Sequence, residues 1–178
     1  MARCHTPGYH LCMTEMNNGE LLRGFRVLAF FAADHAVVAE GKVYVNGGFF
    51  DRVYYPVFPA PLSIAVAGLI EVSAQQFQRD HRFVVELQEA GNERPIVRIE
   101  GGFRALPTPD AEPGEPSHVP VAVPLTGFSL PRAGDYHFIL YINGNEAARY
   151  TVRAAQMGVI AQVLPQTPTG DADEPQEE

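Results

Sequence analysis

Tryptophan is absent from these 178 residues, and only two cysteines occur, Cys4 and Cys12, both within the first dozen positions. No disulfide framework can staple the fold, and nothing in the thiol content calls for an oxidising compartment. Only four serines are present. There is no G-x-S-x-G elbow, no H-E-x-x-H pair and no P-loop, so the nucleophilic, zinc-hydrolase and phosphate-cradling classes have no starting motif. The apolar run VLAFFAA (27–33) is cut off by Asp34 and His35. It is too short to cross a bilayer or to serve as the core of a signal peptide, and a cytoplasmic protein without a membrane partner is expected.

A concentrated basic surface is missing too. Of the 21 acids, five lie at Asp171, Asp173, Glu174, Glu177 and Glu178, and three at Asp110, Glu112 and Glu115, which leaves 13 against the 13 Lys and Arg. The net charge of −8 thus belongs to a tail and an insert rather than to the body. Without a basic face to displace counterions, nucleic acid is excluded as an expected partner. Arg79, Arg82, Arg94, Arg98 and Arg104 alternate with acids and read as a solvated face.

What the chain does have is 15 Pro and 16 Gly spread through a sequence of period-two alternation. That combination favours short strands and many turns over long helices. Strands are expected at about 24–33, 42–50, 61–72, 81–87, 95–103, 119–129, 136–142 and 146–153, with DHAVVAEGK as a bend and turn between the first two. Tyr136, Phe138, Leu140 and Ile142 alternate inward, and the NGN at 143–145 closes a hairpin that returns through Ala148, Tyr150 and Val152. Pro120 and Pro124 mark their strand as an edge. The expected fold is all-β: an antiparallel β-sandwich of seven or eight strands, immunoglobulin-like or similar, over residues 24–156. LPRAGDYHF resembles the corner that opens a late strand in immunoglobulin-like domains, which implies that the Tyr136 hydroxyl bonds back to upstream backbone.

Residues 1–20 lack periodicity and are expected to be a disordered extension, and 165–178 a disordered acidic tail. PTPDAEPGEPSH (107–118) carries four prolines, three acids and no large apolar group. It reads as a mobile loop.

One stretch stands apart. VYVNGGFFDRVYYPVF (43–58) holds six of the eighteen aromatics and sets two glycines inside a strand pattern, echoed by EGGF at 100–103. No helix follows either pair, so a phosphate-binding turn is excluded, and a bulge, a positive φ or a close approach is the expected reason for the glycines. Phe49 and Phe50 have opposite parity, and Tyr54, Tyr55 and Phe58 fall in a proline-punctuated loop. One face cannot bury them all. Phe49, Phe50, Asp51, Arg52, Tyr54, Tyr55 and Phe58 form the candidate interface, because clustered exposed aromatics mark contact surfaces.

The motif GKVYVNGGFFDR, with Gly41, Lys42, Tyr44, Gly47, Gly48, Asp51 and Arg52, followed by His81 and Leu87, resembles an uncharacterised bacterial family of small all-β proteins. The resemblance spans about 24–153. It implies the fold class and carries no activity.

Chemistry has few footholds. Cys4, His5, His10 and Cys12 lack the short knuckle spacing of a zinc site, so no metal and no cofactor are expected. Asp34–His35 and Asp80–His81 are sequence neighbours and point to opposite sides of a strand. Glu71, His81 and Arg82 are the best enzymatic constellation and a poor one, with Glu71 and Glu86 as carboxylates that a suitable register would bring together. The expected function is a non-enzymatic module for protein binding or self-association through the 49–58 segment or a sheet edge. The alternative is a small-ligand or carbohydrate-binding sandwich with Tyr54 and Tyr55 stacked on a sugar.

Overall fold

The structure, a computed structural model, describes residues 22–158 and is all-β. The strands are β1 (Phe25–Ala39), β2 (Lys42–Gly48), β3 (Arg52–Tyr55), β4 (Ala60–Leu62), β5 (Ala65–Val72), β6 (Asp80–Glu89), β7 (Val97–Arg104), β8 (Ser117–Pro124), β9 (Phe128–Leu130), β10 (Gly134–Ile142) and β11 (Asn145–Gln156). They form two curled sheets, β2-β1-β5-β8 and β3-β11-β10-β6-β7, and a small β4-β9 pair. One 3-10 turn, Ala74–Gln76, is the helical content of the described residues. No helix among them is long and apolar enough to cross a membrane.

The alternation read from the sequence becomes the inner faces of both sheets. Val66, Ile70, Val72, Val121 and Val123 from the first sheet meet Val85, Leu87, Phe138, Leu140, Ile142 and Val152 from the second in one core. Burial of such apolar surface is the main drive to fold. The Asn143–Gly144 turn has φ of 49° and 86°, as a type I′ hairpin requires, and registers Ile142 with Asn145. β8, with Pro120 and Pro124, is indeed an edge strand. The Tyr136 hydroxyl donates to the carbonyl of Arg132 at 2.6 Å, and the side chain is 1% exposed. Burial raises its pKa. Tyr136→Phe removes that donor and leaves the carbonyl unpaired, and equilibrium unfolding in urea should show a loss of about 1 kcal/mol. An unchanged midpoint would mean the hydroxyl bond does not hold the corner.

Several expectations need correction. There are eleven strands rather than seven or eight, because two long runs break and because Arg52–Tyr55, at the start of the stretch read as a loop, forms β3. PLSIAVAGLIEV divides at Ser63–Ile64, where the Ile64 carbonyl accepts from Leu125 N–H at 2.9 Å, and the run at 119–129 divides around Gly127, whose φ is +87°. The freed ends, β4 and β9, pair with each other. The sheets are not wholly antiparallel, since β3 runs parallel to β11. DHAVVA is no bend: β1 continues through it to Ala39 and turns at Glu40–Gly41, with φ of 52° and 72°. The proline-rich segment is strand-free only to residue 116, as Ser117 and His118 already pair in β8. The two tails and the Cys4, His5, His10 and Cys12 group lie outside the described residues.

A second, smaller core sits on the other side of the first sheet. Ala33, Ala36, Ala65, Ala67 and Phe31 pack there with Val43 against them. β5 is therefore buried on both faces, where the sequence pattern had predicted one.

Candidate functional site

Residues 46–52 carry the chain from the first sheet to the second. Gly47 and Phe49 both have positive φ, +59° and +65°, so the backbone leaves β2 in a sharp turn across β1. The Phe49 N–H donates to the Ala32 carbonyl at 3.0 Å. Its ring lies flat on Phe31, centroids 3.7 Å apart at 17°, with the other face open to solvent and 69% of the residue exposed. The glycine pair thus serves a crossover, and its conformational need falls on Gly47.

Beyond that turn the candidate residues separate. Phe50 packs on the main core, and its carbonyl accepts the Tyr150 hydroxyl at 2.8 Å. Asp51 offers its carbonyl to the Arg153 N–H at 2.8 Å while its side chain stays exposed. Arg52 is exposed in register with Arg153, which bonds Asp135 at 2.7 and 2.9 Å. Those bonds hold the Asp135 carboxyl below the usual carboxylate range. Tyr54 and Tyr55 are strand residues, not loop residues, and alternate. Tyr54 is 56% exposed, whereas Tyr55 turns to the core and meets Phe58 edge-on at 5.7 Å. Two tyrosines on opposite faces of one strand cannot make a single stacking platform, so the sugar platform expected of them does not form. Phe49 and Tyr54 are the outward aromatics of the segment, and Phe50, Tyr55 and Phe58 belong to the core.

A larger exposed apolar surface lies just before this segment. Val37, Val38, Tyr44 and Val45 are each 40% exposed or more. Val37 pairs across the ribbon with Tyr44, and Val38 with Val43, so apolar side chains occupy both faces of the β1–β2 hairpin beyond Ala36. Sequence reading missed this arm because its turn is Glu-Gly rather than Asn-Gly. The available signal was the pair of apolar, β-branched runs AVVA and VYV flanking Glu40–Gly41.

The arm's outer edge is also the least protected one. β8 carries two prolines, β7 carries Arg98, Glu100 and Arg104, and β3 is four residues long. β2 has a single charge, Lys42, at one end. In a two-residue hairpin the residues flanking the turn exchange hydrogen bonds, so Lys42, Tyr44 and Asn46 bond to β1 while Val43 and Val45 turn their N–H and C=O groups outward. Unguarded strands of this kind are templates for pairing.

The enzymatic constellation is not assembled. Glu71 bonds Arg26 at 3.0 and 2.8 Å, which holds its carboxylate below the usual range. His81 is buried beside Phe25 and Phe103, donates from Nε2 to the Gln76 carbonyl at 2.9 Å and accepts from Asn143 Nδ2 at 3.2 Å. Arg82 pairs with Glu100, and Glu86 with Arg98, so Glu71 and Glu86 sit in different sheets with different partners. Among the described residues no group of three or more His, Cys, Asp or Glu is placed to hold a metal ion.

Residues 28–155 match the model of a family described as a family of unknown function (DUF6941). No curated protein matches the chain. Among solved structures, a β-glucosidase from Listeria innocua in complex with glucose aligns at TM-score 0.35 and 12% identity, over 60% of this chain and 15% of that one. An alkylpurine DNA glycosylase from Pseudomonas fluorescens, AlkC, bound to DNA containing an abasic site analog, aligns at TM-score 0.34 and 9% identity, over 71% of this chain and 30% of that one. The chain thus spans under a third of the length of either.

Proposed function

The chain belongs to this family of unknown function, and from its own surface we propose that it is a non-enzymatic module for protein binding or self-association, docking through the β1–β2 arm and the adjacent Phe49. One observation carries the reading: an arm with exposed apolar side chains on both faces ends in the sheet edge that has the least protection. An added strand would satisfy the outward groups of Val43 and Val45, and the same contact would cover Tyr44 and Val37. Phe49 and Tyr54 extend the surface along the crossover. The same reading takes the two sheets as layers of an immunoglobulin-like sandwich, supported by their shared core and by the Tyr136 bond.

The test replaces Val37 and Tyr44 together with lysine, on the arm face that carries no part of the small core. Light scattering over a dilution series and capture from host lysate are then compared with the unaltered protein. A mass that rises with concentration, or a captured protein, that is lost in the folded variant supports the proposal. A monomer at every concentration with the same captured proteins from both forms would overturn it.

A further inference from the structure

His81 is a buried histidine with both ring nitrogens in use. It is 6% exposed, and its ring lies against Phe25 of β1 and Phe103 of β7. A carbonyl only accepts, so the 2.9 Å contact with the Gln76 carbonyl makes Nε2 the donor. The Asn143 amide is oriented as firmly: its Oδ1 accepts the Arg82 N–H at 3.0 Å, which leaves Nδ2 to donate to His81 Nδ1 at 3.2 Å. The Asn143 N–H in turn donates to the Arg82 carbonyl at 2.9 Å. One neutral imidazole thus helps to pin the tip of the β10–β11 hairpin to β6.

We propose that this pin is an acid-released latch: a proton taken up at His81 Nδ1 parts the ring from Asn143 and frees the hairpin tip from β6. An N–H on Nδ1 would face the Asn143 N–H group, donor against donor. Flipping the amide to offer Oδ1 would set Nδ2 against the Arg82 N–H, so neither orientation satisfies the charged ring. No neighbour offsets the charge. The elements packed on the ring present Gln76 from the 3-10 turn, Phe25, Phe103 and Asn143, none of them titratable. Arg79 is exposed in the bend before β6. Asp80 and Arg82, beside His81, are exposed on the opposite face of the strand and pair with Arg104 and Glu100, and Arg26, next to Phe25, is held by Glu71. Among the described residues no carboxylate pairs with His81. The latch lies in the second sheet, apart from the docking arm.

An unfolded histidine ionises at about pH 6.5, so the unfolded chain takes up a proton that the latched state resists, and stability falls as the pH falls. Moving from about pH 7.5 to about pH 5.5 should raise the unfolding equilibrium constant of the full chain about tenfold more than that of His81→Gln, which has no proton to take up. His137, whose pKa burial lowers, titrates in both proteins and cancels. Asn143→Asp keeps an oxygen for the Arg82 N–H and tolerates the positive φ of the turn, yet offers a carboxylate to an Nδ1–H, so it should remove the extra acid sensitivity. In the unaltered protein, amide exchange at Arg82 and Asn143, corrected for the intrinsic rate at each pH, should rise ahead of the strand interiors. Equal pH dependence in the unaltered protein and His81→Gln, acid sensitivity retained in Asn143→Asp, or exchange that rises evenly along the hairpin would each overturn the latch. The His81 ring signals of the folded, unaltered protein give a readout that needs no variant. Titration like that of an exposed histidine, with the Asn143 signals unmoved, would overturn the latch as well.

Discussion

Gly47→Val should lower the stability of the fold by about 2–3 kcal/mol, read as a shift in the urea midpoint at unchanged slope. Gly47 has φ of +59°, a conformation that costs a residue with a Cβ some 1–2 kcal/mol and a β-branched residue more. A Cβ there would also lie 2.7 Å from Asp34 Cγ. Asp34 is exposed and can swing aside, so the clash relaxes while the backbone strain does not. The strain cannot be relieved by moving the turn, because the Phe49 N–H is tied to Ala32 and the Asp51 carbonyl to Arg153 on the far sheet. Gly47→Asn, which tolerates this conformation better, should recover much of the loss. Gly48 is not in the left-handed region, and Gly48→Ala meets only the side chains of Phe31 and Val45 at 2.9 and 3.0 Å. It should cost clearly less than Gly47→Val. Equal costs at the two positions would mean that crowding rather than φ selects the pair.

The echo of that motif has a different cause. Gly101 stands directly across from Phe83 on the neighbouring strand, and a Cβ at Gly101 would lie 2.5 Å from Phe83 Cε1. The ring covers the bare backbone of the glycine, a known way to stabilise a glycine within a sheet. Gly101→Val therefore overpacks the site and should cost about 1–3 kcal/mol. Because the cost comes from one ring, it should fall sharply in a Phe83→Ala background, giving a coupling well beyond the additivity expected of independent sites. Additive losses in that double-mutant cycle would show that the ring does not account for the glycine.

The two Gly-Gly-Phe motifs look alike as text and differ as structure. In NGGFF the glycine is needed for a backbone angle that turns the chain out of one sheet and into another. In EGGF it is needed for the space its missing side chain leaves. Nothing within either motif tells them apart, since the distinction depends on Phe83, eighteen positions before Gly101, and on the Asp51–Arg153 bond that ends the crossover.

The same limit governed the candidate interface. That some of Phe49, Phe50, Tyr54, Tyr55 and Phe58 must be exposed followed from parity alone, and Phe49 and Tyr54 are. Which of them would be exposed depended on β3 joining β11 in parallel, a pairing between segments about a hundred residues apart. The arm was hidden for a related reason. Val37, Val38 and Tyr44 are good strand formers, but local preference does not say whether a ribbon ends inside a sheet or at its edge.

By itself the sequence determined the all-β class, the inward rows Tyr136–Ile142 and Phe83–Leu87, the Asn143–Gly144 turn and the proline-marked edge. These depend on side-chain periodicity and on the conformational limits of Gly, Pro and Asn, which act over a few neighbouring residues. Tertiary structure alone decided the partition into two sheets, the parallel β3–β11 pair and the second core beneath the arm. Those features arise where distant strands compete for the same apolar surface, and burial and hydrogen bonding over the whole chain, not local preference, select the outcome.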